Sequence, residues 1–150
     1  MLCSEIMKLD VECVSPKTSL REAARAMRDR NIGFLPVCDE ERRSIGVVTD
    51  RDIAVRAIAE GCGDSTPVET IMTREVVSCR PEDELRHAHE LMARHRKSRI
   101  VCVDRRGRVK GVISLSDLAD LDELEGGSTL REVSAREHRR GREAEWMLSI

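Results

Sequence analysis

Laid over itself at an offset of 65, the chain matches without a gap, residues 5–56 falling on 70–121. Of these 52 positions 14 are identical, among them Ile6-Met7 with Ile71-Met72, Pro16 with Pro81, Leu20-Arg21 with Leu85-Arg86 and Met27 with Met92. The matches continue through Gly46-Val47 with Gly111-Val112 to Asp52 with Asp117. Two copies are too few for an open solenoid, which needs about three or more repeats, so the expectation is a compact pair.

Each copy carries the same order of local signals. In the first, Val11 to Val14 reads as a short strand broken by Ser15-Pro16. Ser19 and Glu22 then have capping-box spacing for a helix start. Leu20, Ala23, Ala24 and Met27 recur at helical spacing and predict one buried stripe, ended by Asn31-Ile32-Gly33. Phe34–Cys38 and Ser44–Val48 read as strands around the charged turn Asp39–Arg43, and a helix follows from Asp50 to Glu60, with Gly61 suited to close it. The second copy repeats this with Val76–Cys79, Leu85–His95, Ile100–Val103, Val109–Ile113 and Ser116–Leu124. The expected class is α+β, β-α-β-β-α twice, with repeats at 5–61 and 70–124, a linker at 62–69 and a tail at 125–150. Three short strands with helices on one face leave the other face apolar, so the copies are expected to cover each other with pseudo-twofold symmetry and a cleft between them.

Composition narrows the function classes. A chain of 150 residues can hide roughly 68–70% of its unfolded surface. With 26 basic against 28 acidic residues the net charge is −2, which provides no global field for nucleic acid or anionic lipid. Phe34 and Trp146 are the only aromatic residues, which argues against a base-stacking platform. No apolar run is long enough to span a bilayer, and Glu5, Lys8 and Asp10 interrupt any signal-peptide core. The six cysteines form no CxxC pair and are read as mostly buried thiols in a reducing cytoplasm, without a disulfide framework.

The residues nearest to chemistry are the two strand-to-helix elbows, Gly46-Val-Val-Thr49-Asp-Arg-Asp52 and Gly111-Val-Ile-Ser114-Leu-Ser-Asp117. A hydroxyl followed three residues later by a carboxylate is a variant of the capping box, and capping alone accounts for the spacing. The same geometry also suits a ligand. A helix start presents free N–H groups to a phosphate, and a carboxylate accepts from both hydroxyls of a ribose.

With these elbows in register, the paired units resemble the cystathionine-β-synthase (CBS) domain family, from about Ile6 to Leu121, and most closely the small stand-alone bacterial CBS pairs, some of them tied to stress or hypoxic responses. The resemblance rests on Leu20-x-x-Ala23-x-x-x-Met27, Ile32-Gly-Phe-Leu-Pro36-Val37, Leu85-x-x-Ala88-x-x-x-Met92, Arg99-Ile-Val-Cys-Val-Asp104 and both elbows. It implies that AMP, ADP, ATP, NAD or S-adenosylmethionine binds between the repeats, with Thr49 and Asp52 on ribose and phosphate in one site and Ser114 and Asp117 in the other. It places the base against Val11–Val14 with Ile32 to Pro36, and against Val76–Cys79 with Lys97 to Val101. The copies differ where Pro36 meets Val101, Ile32 meets Lys97 and Phe34 meets Arg99. Lys97 and Arg99 are phosphate ligands or a solvated edge; Arg51 is a phosphate contact or an exposed helix residue. A homodimer joined through helix faces, acting on a separate effector protein, is further implied.

Other features are weaker. His87 and His89 lie about 200° apart on a helix, and no Cys or His group has closed zinc-site spacing, so no metal is expected. Cys62, between two glycines, is the candidate accessible thiol. Residues 126–150 balance Arg and Glu around Leu130, Val133 and Trp146, as a docking helix or a frayed end. A regulatory ligand-binding module is the primary reading. A constitutive interaction module whose elbows only cap helices, and a small hydrolase or transferase using Asp52 or Asp117, are the alternatives; no base–nucleophile constellation supports the last.

Overall fold

The computed structural model describes residues 1–125, with side chains described through Leu121. The tail at 126–150, read as a docking helix or a frayed end, lies outside the described residues.

Helix α2 (Leu20–Arg30) starts on the foreseen capping box. Ser19 Oγ accepts from Glu22 N at 3.1 Å, and Ser19 N donates to Glu22 Oε2 at 3.2 Å. It ends at Asn31 in the left-handed conformation, φ 52°, a role asparagine takes more readily than most residues. Leu20, Ala23 and Met27 are buried as the spacing predicts, but Ala24 is exposed and Ala26 packs on the core instead. The stripe is rotated from the expected one, with Ala26 in place of Ala24 beside Leu20, Ala23 and Met27.

That sheet is β1 (Phe34–Cys38) antiparallel to β2 (Ser44–Thr49), with Phe34 opposite Thr49. The strand expected at Val11–Val14 shrinks to a single parallel bridge from Val14 to Val37, since Ser15-Pro16 turns the chain away. The helix expected from Asp50 to Glu60 is present but changes pitch. One α-turn, α3 (Asp50–Asp52), widens into a π-helix over Ile53–Ile58, and Gly61 closes it at φ 76°. In the second repeat β3 (Ser78–Cys79) pairs in parallel with β4 (Arg99–Val103), which pairs antiparallel with β5 (Val109–Ser114). Helices α4 (Leu85–His95) and α5 (Leu115–Glu125) complete it.

Two short elements were not foreseen, and they decide how the repeats join. Helix α1 (Cys3–Ile6) and the 3₁₀ turn Val68–Thr70 open the two repeats, yet each docks on the other copy. Leu2 bridges Glu84 and Lys8 bridges Val112, while Pro67 bridges Ser19 and Thr73 bridges Val47. Adding 65 to one member of each bridge, and subtracting it from the other, generates its counterpart, which is the pseudo-twofold relation. Val68, Ile71 and Met72 therefore fill the core of the first repeat, and Cys3, Ile6 and Met7 that of the second. Residues 62–69 do more than connect: Val68 is fully buried and Cys62, expected as a free linker thiol, packs partly against the same core.

A third cluster, of Cys38, Val101 and Val109 with Val11, Cys13, Phe34, Val47, Val76 and Val103, holds the repeats face to face. The two hairpin turns seal it, with Ser44 N donating to Gly107 O and Val109 N to Arg42 O, both at 3.0 Å.

Candidate functional site

Both elbows cap their helices, as the spacing alone required. Thr49 Oγ1 accepts from Asp52 N at 3.0 Å, and Thr49 N donates to Asp52 Oδ2 at 3.1 Å. In the second repeat Ser114 N donates to Asp117 Oδ2 at 2.7 Å and Ser114 Oγ donates to the same oxygen at 2.6 Å. Capping occupies only one oxygen of each carboxylate. Asp117 Oδ1 faces Lys8 Nζ at 3.0 Å, and Asp52 Oδ1 faces Arg56 Nε at 3.8 Å. Lys8 reaches Asp117 because its backbone is held to Val112 by two hydrogen bonds of 2.9 and 3.1 Å. Its counterpart Thr73 makes the same backbone pair with Val47 but brings no charge. Burial pushes the Asp117 carboxyl up, yet the Ser114 hydrogen bonds and the Lys8 charge outweigh it and hold the group below its ordinary value.

A cavity of about 240 Å³ opens between the repeats beside this elbow. The first repeat contributes Val11, Glu12, Asn31, Ile32, Phe34 and Pro36; the second contributes Arg99, Val112, Ser114, Ser116 and Asp117; the exchanged amino-terminal segment adds Lys8 and Asp10. Of the residues anticipated from sequence, Ile32, Pro36, Arg99, Ser114 and Asp117 thus share one cavity. Lys8, Asp10, Asn31, Val112 and Ser116 were missed. Lys8 and Asp10 carry no local signal, whereas Asn31 and Ser116 could have been found by projecting the elbow and the helix end onto one cleft.

Thr49, Arg51, Asp52, Lys97 and Val101 do not line this cavity. Shifting its lining by 65 residues yields all five, with Phe34 and Arg99 exchanging places. They belong to the twofold-related position. There Val101 is buried, while Arg51 and Lys97 are exposed.

The cavity has an apolar wall of Val11, Ile32, Pro36 and Val112 facing a polar edge. Arg30 lies behind Asp10 and Glu12, at 3.1 and 2.9 Å, and neutralises part of that acidic rim. Arg99 leans over Phe34 with its guanidinium carbon 5.9 Å from the ring centroid. Its volume, a little below the roughly 300 Å³ typical of the smaller ligand pockets, suits one small molecule with an apolar face and hydrogen-bonding hydroxyls. The lining includes neither histidine nor cysteine. Among the described residues no group of three or more His, Cys, Asp or Glu is placed to hold a metal ion, and no helix is long and apolar enough to cross a membrane.

Comparison with known proteins gives the same picture of the fold. The family model described as "CBS domain" matches residues 3–58 and 68–123. The chain is 38% identical over 132 residues to the CBS domain-containing protein YhcV of Bacillus subtilis, covering 87% of this chain and 93% of that protein. Among solved structures it is similar to the CBS domain pair of protein MJ0100 in complex with 5-methylthioadenosine and S-adenosyl-L-methionine, with a TM-score of 0.75, 28% identity and coverage of 83% and 98% of the two chains. It is similar also to the CBS domain protein PAE2072 from Pyrobaculum aerophilum complexed with AMP, with a TM-score of 0.74, 27% identity and coverage of 85% and 100%.

Proposed function

Because this chain belongs to the CBS domain family, we propose that it is a regulatory module, not an enzyme, that binds an adenosine-containing ligand in the cleft between its repeats. One observation carries the reading: the Ser114–Asp117 elbow of one repeat and the Ile32–Pro36 wall of the other meet across a single cavity. Ribose hydroxyls donate to Asp117 Oδ1, the oxygen that capping leaves free, and Lys8, which is largely exposed, swings aside toward a phosphate. The base lies against Ile32, Pro36 and Val112, and Arg99 faces the anionic end of the ligand.

Thr49 and Asp52, with Arg51, Lys97 and Val101, form the second site of the pair. It differs in charge: Thr73 stands where Lys8 stands in the first, while Arg51 and Lys97 stand where the first has Ser116 and Ile32. A ligand touching both repeats favours one angle between them, and a separate effector protein reads that angle. Signalling requires that the ligand bind the two states unequally. Val55 and Ile58, exposed at 48% and 64% on the helix after the first elbow, support a homodimer formed through helix faces.

Isothermal titration of the intact chain with AMP, ADP, ATP, NAD and S-adenosylmethionine tests the reading. Saturable binding of at least one, weakened by Asp117→Asn, supports it. If none binds, the elbows serve only as caps and the chain is a constitutive interaction module. Turnover of a bound ligand would establish the hydrolase or transferase alternative.

A further inference from the structure

The geometry points to Cys13 and Cys38 as a reversible dithiol–disulfide couple, an oxidation site in the cluster that holds the repeats face to face. Cys13 precedes Val14, the residue that bridges Val37, and Cys38 N donates to Val14 O at 2.8 Å. This pairing brings both sulfurs into the cluster between the repeats, with Cys38 buried and Cys13 half-exposed. Val14 and Val37 pack on the core of the first repeat, so Cys13 and Cys38, their chain neighbours, share the opposite face of the pairing. Arg42 adds a cation, anchored by its guanidinium to Val11 O and Val109 O, both at 3.4 Å.

These neighbours make the two thiols unlike. The neighbouring Cys38 thiol lowers Cys13 most, burial opposes it, Arg42 lowers it further and Glu12 raises it, leaving the thiol at about 7. Cys38 is pushed up by its neighbour Cys13 and by its burial. Cys13 is thus the attacking thiolate and Cys38 the resolving thiol. The other close cysteines provide a contrast. Cys79 lies 3.8 Å from Cys3 and 3.5 Å from Cys102, but all three are buried, and burial pushes Cys3 up to about 12.

With hydrogen peroxide as oxidant, Cys13 sulfur attacks one peroxide oxygen. The O–O bond breaks, an S–O bond forms, and the departing hydroxide takes a proton to become water. Cys38 sulfur then attacks Cys13, the S–O bond breaks, and hydroxide leaves with the Cys38 proton as a second water. Two thiols lose two electrons and the peroxide is reduced. The bridge staples the segment carrying Val11 and Glu12 to β1, whose Pro36 lines the same cavity. The couple stands whether or not the cavity takes a nucleotide.

The test is hydrogen peroxide treatment of the full chain, followed by peptide mapping without reductant. A Cys13–Cys38 linked peptide is expected, lighter by two hydrogens and reversed by dithiothreitol, with Cys3, Cys79 and Cys102 still free. In Cys38→Ser oxidation stops at Cys13 with one added oxygen, captured by dimedone. If Cys62 is oxidised while Cys13 and Cys38 remain free thiols, or the bridge forms between other cysteines, the inference is overturned. The wild-type map decides the matter even if the variant does not fold.

Discussion

The guanidinium of Arg99 lies 5.9 Å from the ring centroid of Phe34, its own counterpart in the other repeat. The pseudo-twofold relation sets these two positions against each other, so identical arginines there would repel. A cation over an aromatic face makes the same contact attractive. Arg43 and Arg108 also meet across the axis, but each is neutralised within its own turn, by Asp39 at 2.7 Å and Asp104 at 2.8 Å. A double-mutant cycle of Phe34→Leu with Arg99→Met, read by urea unfolding, should give a coupling of about 0.5–1 kcal/mol. A coupling of zero would mean that the two side chains are merely neighbours.

The elbow carboxylates should separate under titration. Asp117→Asn is expected to weaken the cavity's ligand by about 10- to 100-fold, corresponding to the loss of one or two charge-assisted hydrogen bonds. Asp52→Asn should leave that site unchanged and affect only the twofold-related one. Calorimetry of both variants with the same nucleotide provides the comparison.

Acid should act on three carboxyls. Asp117 and Asp104 are lowered from 3.8 although burial opposes it, through the hydrogen bonds of Ser114 and Arg108 respectively; Asp39 is lowered chiefly by the Arg43 backbone N–H. A depressed folded value means that the stabilisation is complete above the unfolded value and is lost as pH falls through the folded one. Melting temperature should therefore be insensitive to these groups above about pH 5 and fall below about pH 4. Asp104→Asn should make that acid limb shallower in a series of thermal melts.

Two glycines are required by the exchange of segments. A Cβ on Gly46 would sit 2.7 Å from Met72 Sδ and 3.0 Å from Thr73 O; one on Gly111 would sit 2.7 Å from Met7 Cγ and 2.9 Å from its Cβ. Gly46→Ala and Gly111→Ala should each destabilise by about 1–3 kcal/mol, measured by denaturant unfolding. Unchanged stability in both would show that the methionines move aside freely.

Arg42 occupies a left-handed turn position, φ 64°, where the second repeat has Gly107 at φ 79°. Arg42→Gly should therefore keep the turn while removing the cation near Cys13. The pH at which Cys13 is half-alkylated should rise from about 7 toward an ordinary thiol value of about 8.5. Iodoacetamide rates on wild type and variant check this.

Much of this molecule was legible from local chemistry. The capping box at Ser19 and Glu22, the stripe of Leu20, Ala23 and Met27, and the elbows at Thr49 and Ser114 act over three or four residues, and the offset of 65 implied a symmetric pair. The π-helical widening at Ile53–Ile58 escaped, because an apolar helical pattern does not distinguish the two pitches. So did the destination of the segments that open each repeat. Met7 and Met72 are identical in type and fit the same hole beside Gly111 and Gly46, so periodicity is satisfied whichever copy each one enters. The repeat determined by itself that there would be two equivalent cores and two equivalent elbows. The crossing-over of the opening segments is instead a product of long-range packing, to which residue type is indifferent. The crossing carries Lys8 to Asp117 in one cleft and the uncharged Thr73 to the corresponding place in its twin.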